Sequence, residues 1–297
     1  MSSAPARGAR VAPAEIHNGG TVYTLIGSQF GAKVIAAMDA VGVPHRVHEI
    51  GTRELRNRRR WNQILAPPHT VPQMDWRGER LTDSTDILKA IDRDADGQWK
   101  LYPEEQRAAV EALEQHVGTV FNAYVMYFTW WVEAGFRATY CRRMARDLFC
   151  VPLPACIGRH LMRCIVPIGR LRGSMRKKAR AVLGDTMITP GRYPAADEED
   201  KVRAALVAEL RALDGRLAAA PPAPKRWLCR TDHPSAADFA LYGCLERLVG
   251  ESGDSNMGTA TPWLFAEANV PEVQAWHARV LAAHPIRFLG KSVNKNK

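Results

Sequence analysis

Val71-Pro72-Gln73-Met74-Asp75-Trp76-Arg77-Gly78-Glu79-Arg80-Leu81-Thr82-Asp83-Ser84 reads as two short strands followed by the start of a helix. Gln73 to Trp76 and Glu79 to Leu81 are β-prone runs joined around Arg77-Gly78, a turn pair. Pro72 stands at the first residue of the first run, one of the few places where a sheet tolerates a proline. Ser84 to Ile91 reads as a helix capped by Asp83 or Ser84. Taken singly, Val-Pro is also compatible with a plain turn, and Asp-Ser with a plain cap.

Val22 to Ile26 is a β-prone run, and a loop separates it from Ala32 to Ala40. There Val34, Ile35, Met38 and Val41 recur at helical spacing. Gly42 stands where that helix stops, because glycine takes the left-handed conformation without a Cβ penalty. His45 to Ile50 reads as a strand and Glu54 to Leu65 as a helix. The order is therefore β-α-β, α, β-β-α.

From Thr21 to Asp92 this order and its motifs resemble the N-terminal domain of glutathione transferases, most closely that of membrane-associated type-two prostaglandin E synthase. The resemblance implies an α/β thioredoxin-like domain at 21–95 and an all-α C-terminal domain at 104–288. A flexible extension (1–20) and tail (289–297) flank them. It implies glutathione as the bound cofactor, at a site made of Phe30, Val71, Pro72, Asp83 and Ser84. Pro72 would be cis, Val71 would pair its backbone with the cysteinyl backbone of glutathione, and Asp83 and Ser84 would hold the γ-glutamyl end.

The loop before the first helix reads Ser28-Gln29-Phe30-Gly31. Thioredoxin-type enzymes place a cysteine here, where the helix dipole and free N–H groups favour a thiolate. Aligned on Phe30 and Lys33-Val34, the prostaglandin synthase motif Cys-x-x-Cys falls on Ser28 and Gly31. Without sulfur, disulfide exchange at this loop is excluded. Some glutathione transferases use a serine here to donate a hydrogen bond to the glutathione thiolate, which makes Ser28 the candidate catalytic residue. Tyr23 is a weaker candidate for the same task, and Ser28 reads equally well as a helix cap.

The second half resembles the same family more loosely. His233 to Gly243 is similar to its C-terminal signature and contains a capping box: Ser235 faces the Asp238 N–H while the Asp238 carboxylate reaches back to the Ser235 N–H. It opens a core helix carrying Phe239, Tyr242, Leu245 and Leu248. The aromatics Phe121, Tyr124, Tyr127, Phe128, Trp130 and Trp131 crowd more than one face of a helix, which suits a buried position in an all-α domain or, in part, a membrane interface. The apolar stretch Val117 to Val132 falls short of the roughly 20 residues that a bilayer-spanning helix needs.

Charge is concentrated. Between Arg137 and Arg180 stand twelve Lys or Arg residues and one acid, Asp147, a balance of +11 against +10 for the whole chain. The rest is nearly neutral. An apolar and basic insertion of this kind, 137–180, fits an anionic membrane surface or a membrane-protein partner, and equally a solvated helix face. The alternative function is thus a non-catalytic accessory subunit of a mitochondrial membrane-associated complex, docked through this insertion; a homodimer is a further expectation. Arg53, Arg56, Arg58, Arg59 and Arg60 form a second cluster beside the glutathione site. No RNA-binding signature or stacking platform accompanies this second cluster, so nucleic acid is not expected.

Cys141, Cys150, Cys156, Cys164, Cys229 and Cys244 form no C-x-x-C pair and no zinc spacing, so no metal is expected. Without a secretory signal they read as free, buried thiols in a reducing intracellular compartment, mitochondrial or cytoplasmic and peripheral to a membrane.

Overall fold

The computed structural model describes residues 20–25, 27–51, 54, 57–94, 99–136, 168–191, 193–220, 226–250 and 260–286. Arg53, Arg56, the tail, most of the N-terminal extension, residues 137–167 of the basic insertion and the four cysteines within it lie outside that set.

The first elements are β1 (Gly20–Leu25), α1 (Gln29–Ala40), β2 (His45–Ile50), α2 (Arg58–Ile64), β3 (Gln73–Trp76), β4 (Glu79–Leu81) and α3 (Ser84–Asp94). The sheet runs β2-β1-β3-β4, with β1 parallel to β2 and antiparallel to β3. Along β1 alternate residues are buried, among them Val22 and Thr24, as period-two geometry requires. Gly31 of α1 sits directly on Thr24: a Cβ there would fall 1.9 Å from the Thr24 hydroxyl. The first helix starts three residues earlier than its apolar spacing suggests, because Ser28 supplies the cap. It ends as expected, with Gly42 at φ +69°. The N–H of Val43 reaches the Met38 carbonyl (3.0 Å) and that of Gly42 the Asp39 carbonyl (3.3 Å), the paired bonds of a Schellman stop. Within the predicted helix Glu54 to Leu65, the described helix is Arg58–Ile64, opened by Asn57 Oδ1 accepting from the N–H groups of Arg59 and Arg60.

The remaining elements are helical: α4 (Arg107–His116), α5 (Asn122–Met126), α6 (Glu133–Phe136), α7 (Ile168–Leu183), α8 (Glu198–Ala218), α9 (Ala236–Leu248), α10 (Leu264–Ala268) and α11 (Pro271–Ala283). Together with the sheet domain they form a thioredoxin-like α/β unit followed by an all-α one. Two π-helical turns, Val117–Phe121 and Tyr127–Trp131, flank α5. Each π turn inserts a residue and rotates the helix face, so aromatics that would point different ways are brought inward. Phe121, Tyr124, Tyr127 and Phe128 are all buried, while Trp130 and Trp131 are half-buried. Arg172 of α7 closes this run by donating to the carbonyls of Trp130 (2.9 Å) and Trp131. Among the described residues no helix is long and apolar enough to cross a membrane.

Every residue of α9 is buried. The Asp238 carboxylate accepts from the Ser235 N–H (2.8 Å) and hydroxyl (2.7 Å), and also from the Leu228 N–H (3.1 Å) and Trp276 Nε1 (2.8 Å). The capping motif is therefore also a core junction. On α9, Gly243 lets the helix lie against α1; a Cβ there would come within 2.3 Å of the Gln29 carbonyl oxygen.

Candidate functional site

Ser28 has extended dihedrals and caps α1, its Oγ accepting from the Gly31 N–H at 3.2 Å. A hydroxyl has two lone pairs and one proton, and among the described residues no acceptor meets that proton. Capping and hydrogen-bond donation therefore do not compete. Beside it, the Gln29 amide is buried and donates to Asn122 Oδ1 (2.6 Å) of α5, tying the loop to the helical region. Phe30 is half-buried in the first turn of α1.

The Val71–Pro72 peptide is cis. The β1–β3 register pairs Tyr23 with Gln73 and ends there; continued by two residues it sets Val71 across from Leu25, at the end of β1 that leads to Ser28. Val71 thus stands outside the ladder. Gln73 fixes the preceding loop by accepting from the Ala66 N–H (2.8 Å) and donating to the Ala66 carbonyl (2.7 Å).

Asp83 is the cap of α3. Its Oδ1 accepts from the Thr85 N–H at 2.7 Å, its carbonyl accepts from the Ile87 N–H, and the side chain is exposed. Ser84, only 6% exposed, accepts from Lys33 Nζ at 3.4 Å. Lys33 also donates to Thr85 Oγ1 (3.2 Å) and to Glu114 Oε1. Glu114 accepts as well from the hydroxyls of Thr85 (2.8 Å) and Tyr102 (2.7 Å). Burial, and then the Glu114 carboxylate, drive the Tyr102 hydroxyl pKa upward, so it serves as a donor at all ordinary pH. The N-termini of α1 and α3 and the Val71 strand end thus meet around one end of the sheet, where helix N–H groups favour negative charge.

Tyr23 does not belong to this constellation. Thr24 faces α1, so its neighbour projects from the opposite face of β1. There the Tyr23 hydroxyl donates to Asp75 Oδ2 (2.8 Å), and Arg80 pairs with Asp75 while covering the Tyr23 ring at 4.2 Å. Burial and Asp75 push its pKa up to about 12. Of the second arginine cluster, Arg59 and Arg60 are exposed.

Residues 22–99 match the family Glutathione S-transferase, N-terminal domain. The chain superposes on a beta-etherase from Sphingobium sp. strain SYK-6 with a TM-score of 0.58, at 18% identity over 89% of this chain and 95% of that one. The fold is the glutathione transferase fold. A glutathione S-transferase from Rhodospirillum rubrum F11 gives 0.53 at 18% identity, covering 89% and 88% of the two chains. FzlA from C. crescentus gives 0.51 at 15% identity, covering 92% and 94%. No curated protein sequence matches the chain.

In this glutathione transferase fold, Lys33, Glu114, Tyr102 and the Gln29–Asn122 contact are not apparent from the motifs of the sequence. One signal was present: Lys33 interrupts the apolar run from Ala32 to Met38, and a charge flanked by core residues on both sides calls for a buried partner.

Proposed function

We propose that the chain is a glutathione-dependent transferase in which Ser28 donates a hydrogen bond to the ligand's thiolate. Glutathione supplies the nucleophilic sulfur. The Ser28 hydroxyl, placed at a helix N-terminus with its proton uncommitted, carries the reading. Such a donor stabilises charge where it develops without itself ionising. The other groups fit the rest of the ligand. Val71 stands outside the ladder at the strand end, Asp83 offers an exposed carboxylate to the γ-glutamyl ammonium, and Ser84 offers a hydroxyl to the carboxylate beside it. Conjugation of glutathione to an aryl halide should fall about ten- to a hundredfold in Ser28→Ala, and calorimetric binding of glutathione should vanish in Asp83→Ala/Ser84→Ala. An unchanged rate in the first variant would remove Ser28 from the chemistry.

The finer relation to type-two prostaglandin E synthase rests on the alignment of Ser28 to Gly31 and on the basic insertion. Because the cysteines of that motif are replaced, the proposed reaction is thiol addition by the ligand and not disulfide exchange.

The exposed basic face of α7 favours a second reading, docking on an anionic membrane as an accessory subunit. Lys177 and Lys178 are exposed, whereas Arg176 is 5% exposed and paired with the buried Glu198. Arg176 therefore leaves the docking face that its sequence neighbours suggest. Under this reading Lys177→Glu/Lys178→Glu releases the protein from phosphatidylserine vesicles in a sedimentation assay, while Ser28→Ala does not; retention of the charge-reversed variant counts against it.

A further inference from the structure

Lys33 places a cation in the buried run Ala32 to Met38, which is otherwise apolar; it is 3% exposed and meets Glu114 of the helical domain. Its three protons are all engaged, by Glu114 Oε1, Thr85 Oγ1 and Ser84 Oγ. Replacing a buried ion pair by apolar side chains is often neutral or stabilising, so stability alone does not account for it. The two hydroxyls it meets differ in one respect. Thr85 receives from Lys33 and passes its own proton to Glu114, which closes that branch inside the protein. Ser84 receives from Lys33, and among the described residues its proton has no acceptor. With one lone pair taken from behind, the Ser84 hydroxyl is set as a donor toward whatever binds at the start of α3.

We propose that Lys33 is a positioning residue for the carboxylate of the γ-glutamyl group, acting through the Ser84 hydroxyl and held in place by Glu114, Thr85 and Tyr102. This rests on the reading of the site as a glutathione site. Because Glu114 neutralises the ammonium at contact distance, the effect lies in the direction of a hydrogen bond rather than in a long-range field. Buried pairs are little screened by salt, so ionic strength should leave it intact.

The test uses the full chain and steady-state conjugation of an aryl halide, with glutathione varied. Lys33→Ala alone would strand Glu114 as a buried unpaired charge and endanger folding. The informative variant is therefore Lys33→Met/Glu114→Gln, which removes both charges at similar volume. Its KM for glutathione should rise about tenfold, the loss of one well-directed hydrogen bond. Its kcat and its KM for the aryl halide should stay within about twofold, the signature of lost ligand binding rather than a damaged fold. Adding Ser84→Ala to that pair should cost no more than Ser84→Ala alone, because both changes act on one hydroxyl. An unchanged KM in the charge-free pair, or losses that simply multiply, overturns the role of Lys33. If the parent chain binds no glutathione in calorimetry, the underlying reading fails and takes this one with it; parent binding with an unaltered pair variant removes Lys33 alone.

Discussion

At the scale of single residues, Ser28 combines two uses of one oxygen, accepting from Gly31 to close the helix and keeping its proton for a ligand. The same position would activate a sulfur. In Ser28→Cys the introduced thiol should titrate below its ordinary value of about 8.5, since a helix N-terminus stabilises the thiolate. Cys229 and Cys244 are its internal controls: burial pushes both up to about 12. At neutral pH a thiol reagent should label the introduced sulfur in preference to these two, which should react only as the protein unfolds. Mass spectrometry of the labelled peptides reads this directly. Asp238 offers a second prediction. Burial pushes its carboxyl pKa up, against the hydrogen bonds from Ser235, Leu228 and Trp276 that favour the ionised form. Losing those bonds together in Asp238→Ala should lower unfolding stability by more than about 3 kcal/mol, measured in urea. The half of this junction that lies within four residues, Ser235 with Asp238, was legible in the sequence. The half contributed by Leu228 and Trp276 was not, because nothing local marks a partner 38 residues away.

Among the elements, α1 decides how the two domains meet, resting on β1 through Gly31 and on α9 through Gly243. Sequence spacing located α1 because its apolar period is regular, and located β3, β4 and α3 because turn and cap residues punctuate them. It did not show that Ala32 to Met38 are buried all round, since one periodic stripe is compatible with a helix covered on one face only. The glycines carry that information, but only once the neighbour is known. Ordinarily Gly→Ala in a helix stabilises it by up to about 1 kcal/mol. Gly215 of α8, where an added Cβ meets nothing within 4 Å, should follow that rule. In Gly243→Ala the Cβ would collide with backbone of α1, and overpacking of this kind costs about 1–3 kcal/mol. The two variants should therefore shift the thermal midpoint in opposite directions, upward for Gly215→Ala and downward for Gly243→Ala. Equal and upward shifts would mean that α9 can move off α1 freely.

Across the whole molecule, the charge that gives the chain its +10 is not all available to a partner. Arg176, Lys177 and Lys178 are indistinguishable in the sequence, yet only the last two face solvent. Arg176 lies across α7 and α8, its guanidinium on Glu198, the Thr189 carbonyl (2.9 Å) and the Gly191 carbonyl (2.8 Å). This makes the attachment of α7, and with it any docking face it carries, sensitive to acid. Burial raises the Glu198 carboxyl pKa, but the bonds from Arg176 and Thr189 outweigh it and hold the group below its ordinary value. A carboxylate depressed in the folded state stabilises fully above its unfolded pKa, about 4.3. That contribution is lost as pH falls from there through the lower folded value. Asp94, held down at about 2 by Arg93 and the Trp76 indole, acts in the same direction, so the Glu198 share must be read as a difference. Glu198→Gln leaves Arg176 buried without its anion and should cost about 3–5 kcal/mol at pH 7. Between pH 7 and 3 the urea midpoint of the parent should decline below about pH 4.3 more steeply than that of the variant, so that the two curves converge in acid. Parallel curves over that range would show that Glu198 keeps the same proton affinity folded and unfolded, and that the acid sensitivity of the α7–α8 contact lies elsewhere.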